Sequence, residues 1–187
     1  MATDSVPPDP PREILRTRRL VLSELGPDDA AFLVELLNTP GFLAHIGDRG
    51  VRDVEGALEY LRGGPWASYA QHGFGLWRLG QRRDGQALGI CGLLQRDHLK
   101  APDIGYALLP AAEGQGIAVE AASAVLDYGF GVLRLPRVYA VIAPGNARSI
   151  RLAERLGMRP CADQPMTEGG EGLLLYRIDR PPQAGVL

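Results

Sequence analysis

The chain predicts a mixed α/β fold of the α+β type: a central, mainly antiparallel sheet with one parallel pair, and helices on both faces. Three observations predict it. Residues 73–79 and 87–96 read as strands joined through an Asp84-Gly85 turn, which makes an antiparallel hairpin, and 103–109 extends that meander. From Asp103 to Met158 the order becomes strand, glycine-rich turn, helix, strand, capped helix, and a strand–helix–strand crossover within one sheet is parallel. Between these strands, apolar residues recur at helical spacing.

Taken in order, residues 1–13 are proline-rich and offer no periodic apolar face, so a disordered tail is expected there. A single domain over 14–181 follows, with 182–187 as a second tail. The first strand is expected over 18–24, where Leu20 and Leu22 alternate with polar neighbours. Gly26-Pro27-Asp28-Asp29 starts a helix, with proline early and acids in the first turn, and Phe32, Leu33, Leu36 and Leu37 form its buried stripe. A second helix over 51–61 carries Val54, Leu58 and Leu61, and Gly63-Gly64-Pro65 ends it. Beyond the meander, the helix over 116–132 places Ile117, Ala121, Ala124, Val125, Tyr128 and Val132 on one side. A short strand over 138–143 leads to a helix over 146–156, with Asn146 as N-cap and Gly157 just past its end. A strand over 172–179 closes the chain.

Bulk properties narrow the function. With 20 Lys and Arg against 22 Asp and Glu, the formal net charge is −2, without the basic excess that a general grip on nucleic acid needs. No run approaches the ~18 apolar residues of a membrane span, so no membrane partner is expected. The start shows neither a basic nor an apolar leader region, and Cys91 and Cys161 have no metal-ligand spacing. No metal and a cytoplasmic setting are the expectations.

The segment Gly114-Gln115-Gly116-Ile117-Ala118 carries the chemistry. A glycine turn of this kind bares backbone N–H groups at a helix head, where the macrodipole favours negative charge, and lets the backbone approach an anion without a Cβ between. A phosphate is the expected ligand. The Walker pattern fails for want of Gly-Lys-Ser/Thr, and the dinucleotide fingerprint fails because Val119 stands where the third glycine belongs. In isolation the turn could simply admit a helix. Asn146 and Ser149 could likewise be a cap and an early-turn polar residue.

Together these residues resemble the acyl-coenzyme A site of the GNAT N-acetyltransferases, in particular the ribosomal-protein-type (RimJ/RimL) group. Glu113 to Ala118 occupies that family's Q/R-x-x-G-x-G/A frame, with Glu113 departing from the usual Gln, Arg or Trp. Thr17-Arg18-Arg19-Leu20-Val21-Leu22 resembles the opening strand, and Ile104-Gly105-Tyr106 with Pro110 resembles the strand and exit before the glycine turn. Asn146, Ser149, Leu156, Gly157 and Met158 match N-x-x-S…L-G-F, with Met for Phe. The likeness covers roughly residues 15–180.

The resemblance implies acetyl-CoA as co-substrate and a GNAT-like fold with the parallel pair at the coenzyme. It places Ala107, Leu108 and Leu109 along the pantetheine arm. It places Gly114, Gln115, Gly116, Ile117, Ala118 and Val119 around the pyrophosphate, and Asn146 and Ser149 at the arm and thiol. Ser149 becomes the candidate general acid, because Ala153 stands where many relatives carry a tyrosine. Glu113 is expected to turn to solvent. The acceptor implied is a primary amine, either a protein N-terminal α-amine or a small molecule, and a homodimer is implied at family level.

The general base is hardest to place. An attacking amine must be neutral, while a lysine amine sits near pKa ~10.4 and an α-amine near ~8. Asp97, His98, Asp103 and Glu120 are the nearby titratable groups, with Asp103 the candidate base; each also reads as a solvated or helix-start charge. His45 and His72 read as surface or loop residues. Cys91 lies in an apolar strand without a histidine partner, which favours a core residue over a covalent intermediate and hence direct transfer in a ternary complex. Trp66, Tyr69, Phe74 and Trp77 read as core or as the lining of an acceptor pocket. Two rival readings stand: an acyl-CoA-binding or regulatory module without turnover, and a nucleotide-binding domain.

Overall fold

The computed structural model describes residues 11–162, 166–168 and 171–182. Strands β1 (Glu13–Arg16), β2 (Leu20–Ser23), β3 (Leu76–Gln81), β4 (Ala87–Leu94), β5 (Asp103–Leu108) and β6 (Arg137–Ile142) lie in chain order across the sheet. β9 (Glu171–Asp179) joins β6, and β7 (Arg159–Pro160) flanks it on the far side, while β8 (Met166–Glu168) forms a hairpin on β9. Every neighbouring pair is antiparallel except β5 and β6. The mixed sheet with a single parallel pair is the architecture that the sequence order predicts.

Helices cover both faces. α1 (Ala30–Leu37), α2 (Pro40–His45), α3 (Val54–Gly63) and α4 (Pro65–His72) pack on one; α5 (Ile117–Gly131) and α6 (Ala147–Arg155) pack on the other. Alternation along the strands sorts side chains between the layers, as a period of two requires. On β5, Ile104, Tyr106 and Leu108 join the core under α5 and α6, whereas Ala107 joins the core under α1 and α3. On β3, Trp77 and Leu79 face the α5 side and Leu76 the other. Each fully buried leucine of these cores, such as Leu33 or Leu79, contributes about 1.5–3 kcal/mol of transfer free energy.

The structure corrects several boundaries. Where one first strand was expected over 18–24, two strands form a hairpin, and β1 begins at Glu13, inside the stretch assigned to the tail. Thr17 closes its turn: its N–H donates to the Leu20 carbonyl at 2.9 Å, and its hydroxyl accepts from the Leu20 N–H at 3.0 Å. Helices α2 and α4 fall in stretches to which the sequence assigned no element. Both begin on proline, which supplies a helical φ and gives up an N–H that a first turn leaves unpaired anyway. α3 ends at Gly63, as expected, and Pro65 at once starts α4. Thr39 caps α2 by accepting from the Phe42 N–H at 3.3 Å, and Gly73 ends α4 at φ +75°, which moves the start of β3 to Leu76. Residues 1–10 and 183–187, most of the two expected tails, lie outside the described residues.

Candidate functional site

The parallel pair is where the sheet opens. β5 keeps register with β4 from Asp103 to Leu108, but with β6 it shares a single register pair, Asp103 with Tyr139. From Ile104 onward the two strands diverge, leaving one edge of β5 without a strand beside it. An unpaired edge presents backbone N–H and C=O groups that another extended chain can take up. The split carries a cleft of about 1490 Å³ that reaches both faces of the sheet. On one face it is lined by the glycine turn, the head of α5 and α6; on the other, by α2, α4, Arg49 and Tyr60.

Local sequence builds the first face. Gly114 and Gly116 take φ +71° and +73°, conformations that cost other residues strain, and Gly116 is the N-cap of α5 with no side-chain cap. Among the described residues, no protein acceptor takes the N–H groups from Gly114 to Val119, whereas the Glu120 N–H is bonded to the Gly116 carbonyl at 3.1 Å. A helix head with this many bare donors is able to take an anion. The turn is also braced from the opening hairpin. Arg19 donates through Nη1 to the Gln115 carbonyl (2.8 Å) and through Nε to Glu120 (2.6 Å), and Glu120 accepts further from the Arg19 N–H and the Thr17 hydroxyl. Burial pushes the Glu120 carboxyl up, but these hydrogen bonds outweigh it and hold its pKa below the ordinary value. Glu120 is thus the clamp between β1–β2 and α5.

α6 supplies the wall opposite the turn. Asn146 caps it, its Oδ1 accepting from the Ser149 N–H at 3.1 Å, and Gly157 follows its end at φ +81°. Glu113 is exposed, as expected, and its carboxylate is also ion-paired with the Arg148 guanidinium in the first turn of α6. Tyr106 comes from β5 toward Ser149. Burial raises its phenol pKa to about 12, with a hydrogen bond from Ser149 acting the other way. Tyr106 is a lining residue that the sequence reading did not assign, although period-two alternation puts it on the α6 side of β5.

Of the residues expected to hold coenzyme, Ala107, Leu108, Gly114, Gly116, Ile117, Ala118, Val119, Asn146 and Ser149 line the cleft. Leu109 and Gln115 are not among its lining residues. The Leu109 N–H is bonded back to Leu88 at 2.9 Å and its side chain packs toward α1 and α3, while the Gln115 amide donates to the Ala111 carbonyl at 2.6 Å. Asp103 lines the cleft at the root of the split, 2% exposed, and accepts from Arg96 Nε at 2.9 Å. Burial raises its pKa, and Arg96 opposes that shift. Asp97 and His98 are exposed and lie off the lining. His45 and His72, read from sequence as surface or loop residues, end α2 and α4 and line the second face.

The aromatic candidates are core. Trp77 is fully buried with its ring edge-on to Tyr128 at 5.4 Å, and Phe74 is buried beside it. Trp66 Nε1 donates to the Leu25 carbonyl at 2.7 Å; the Tyr69 hydroxyl bonds the Leu76 carbonyl and accepts from the Leu25 N–H. Cys91 is fully buried, and burial pushes its thiol pKa up, away from the thiolate a nucleophile needs. Among the described residues no group of three or more His, Cys, Asp and Glu could hold a metal ion, and no helix is long and apolar enough to cross a membrane.

Comparison with known proteins agrees with this geometry. A family model described as "Acetyltransferase (GNAT) domain" matches residues 19–159. The uncharacterised protein YkkB of Bacillus subtilis is 36% identical over 149 residues, covering 77% of this chain and 84% of YkkB. The crystal structure of an acetyltransferase from Agrobacterium tumefaciens superposes with a TM-score of 0.76 at 26% identity, covering 95% of this chain and 97% of that one. A spermidine N-acetyltransferase from Vibrio cholerae, solved with CoA and spermine, shares the fold at a TM-score of 0.72 and 16% identity, covering 88% and 97%.

Proposed function

Since the chain belongs to the GNAT acetyltransferase family, we propose that it moves an acetyl group from acetyl-CoA to a primary amine by direct attack within a ternary complex. The observation that carries this reading is the split between β5 and β6, which opens one cleft to both faces of the sheet. A donor bound from the glycine-turn face and an acceptor bound from the α2–α4 face meet at β5 without either leaving.

The residues present fit acetyl-CoA. The bare N–H groups from Gly114 to Val119 suit the pyrophosphate, and the unpaired edge of β5, through Ala107 and Leu108, suits the pantetheine amides. The side-chain N–H₂ of Asn146 remains to donate to the same arm, since its oxygen serves the cap. When bound, the coenzyme supplies an activated acyl carbon.

The chain supplies position and charge stabilisation. β5 backbone N–H groups at the split polarise the carbonyl oxygen. As the amine nitrogen bonds to the acyl carbon, the carbon–sulfur bond breaks, and Ser149 gives its proton to the departing sulfur. Ser149 recovers its proton from solvent, and Tyr106 beside it, a phenol with a pKa near 12, stays protonated and neutral at neutral pH. Asp103 takes the ammonium proton through water. Its burial-raised pKa brings it closer to the working range of a base than an exposed aspartate. Proximity within the cleft carries much of the remaining acceleration.

The acceptor is a small-molecule amine or a protein N-terminal α-amine, the latter being what the ribosomal-type resemblance implies. Coenzyme A release from acetyl-CoA, measured across a panel of amines and short peptides, tests the reading. Release that depends on one class of amine supports it. Calorimetric binding of CoA without release by any amine would replace it with a non-catalytic acyl-CoA-binding module.

A further inference from the structure

The acceptor face of the cleft carries a cation, Arg49, that the proposed transfer does not use. Among the described residues that line the whole cleft, Asp103 and Glu113 are the only carboxylates, and each is already bound to an arginine: Arg96 at 2.9 Å and Arg148. Neither faces an incoming cation as a free negative charge. Arg49, in contrast, lies on the acceptor face between α2 and α3 and makes no ion pair or hydrogen bond among the described residues. Its neighbour Asp48 is taken by Arg52. Tyr60 of α3 lines the same cleft, and its hydroxyl makes no hydrogen bond among the described residues. His45 and His72 border the same region.

This is the wrong lining for a polyamine. A chain of ammonium groups needs a carboxylate for each charge it brings out of water, and a positive lining adds repulsion instead. A guanidinium and a phenolic O–H lining one cleft are both donors for an oxyanion, and the arginine fork can bind a carboxylate through two parallel hydrogen bonds. Resting on the acetyltransfer reading above, we propose that the acceptor is a small primary amine that also carries a carboxylate, held by Arg49 and Tyr60 while its amine reaches the split at β5. The carboxylate replaces the missing counter-charge of Arg49, and its distance from the amine sets which chain lengths fit.

The test is initial-rate kinetics with acetyl-CoA and matched acceptors of equal length: ω-amino carboxylates, the corresponding alkylamines, aminoalkyl phosphonates and spermidine. The expected result is a kcat/KM at least tenfold higher for an amino carboxylate than for its alkylamine or for spermidine, as one charge-assisted contact allows. Arg49→Ala is expected to erase that preference through the acceptor KM, Tyr60→Phe to reduce it several-fold, and Arg49→Lys to keep part of it, with the KM for acetyl-CoA unchanged in all three. A preference for spermidine or for the neutral amine, or a carboxylate preference that survives Arg49→Ala, would overturn the proposal while leaving acetyltransfer intact. A phosphonate preferred over the carboxylate would overturn the carboxylate assignment. Absence of CoA release with every amine would remove the transferase reading and this inference together.

Discussion

The two faces of the cleft are built on different principles. The face proposed for the donor is backbone: a glycine turn at φ +71° and +73°, the head of α5, and the open edge of β5. The acceptor face is side chain: Arg49, Tyr60, His45 and His72, carried by short helices and the loop between them. A ligand common to a whole family can be gripped by groups every residue owns. A ligand peculiar to one member has to be gripped by side chains, which can change without disturbing the fold.

The difference makes predictions that run from large to small. Gly116→Val should damage the donor face most. It forces a β-branched residue into a left-handed conformation, with its Cβ 3.5 Å from Arg19 Nη2. Calorimetry should show the acetyl-CoA Kd raised at least tenfold, while Arg49-dependent discrimination among acceptors stays where any turnover remains. Comparable CoA affinity in this variant would detach the glycine turn from the coenzyme.

Tyr106→Phe and Ser149→Ala should strike at the point where the faces meet. Each is expected to lower kcat by about ten- to a hundredfold with little change in either KM, since general-acid help contributes on that order or more. Because burial raises the Tyr106 pKa to about 12, above its ordinary value near 10, its neutral form persists as pH rises. A pH–rate profile should therefore show no loss of a proton donor below about pH 10. Asp103→Asn should flatten the acid limb of the same profile. A base must be ionised to act, so its raised pKa places that limb higher than an exposed aspartate would. An unchanged limb would confine Asp103 to its ion pair with Arg96.

Smaller effects should come from the braces. Arg19→Ala leaves Glu120 with the Thr17 hydroxyl and one backbone N–H, and frees the Gln115 carbonyl. Urea unfolding should show a loss of about 1–3 kcal/mol, with a several-fold weaker CoA affinity. Asn146→Ala removes the cap of α6 and should cost about 1 kcal/mol by the same measurement.

Legibility followed the same division. The meander, the parallel crossover and α6 were readable because glycine, proline and capping residues dictate local backbone, and Asn146 and Gly157 sit in the structure as cap and helix end as their types predict. The glycine turn was readable for the same reason. Helices α2 and α4 were not. Their prolines serve equally as starts and stops, and α2, at 6 residues, is too short to display a periodic stripe. Tyr106 was within reach: on β5 it shares a face with Ile104 and Leu108, the face that meets α6. Arg19 gave no such signal, because its two contacts lie 96 and 101 residues away along the chain. Glu113 illustrates the limit of reading a position against a pattern. An acid beside an anion site looks unfavourable until the arginine that neutralises it, 35 residues later, is brought next to it.

The central claim is that donor and acceptor occupy one cleft together, from opposite faces of the sheet. Initial rates measured with acetyl-CoA and amine varied against each other test it most directly. Direct transfer in a ternary complex predicts double-reciprocal lines that intersect, and the buried Cys91 leaves no nucleophile on that strand for another route. Parallel lines, with coenzyme A released before any amine is added, would show an acetylated enzyme and contradict the account.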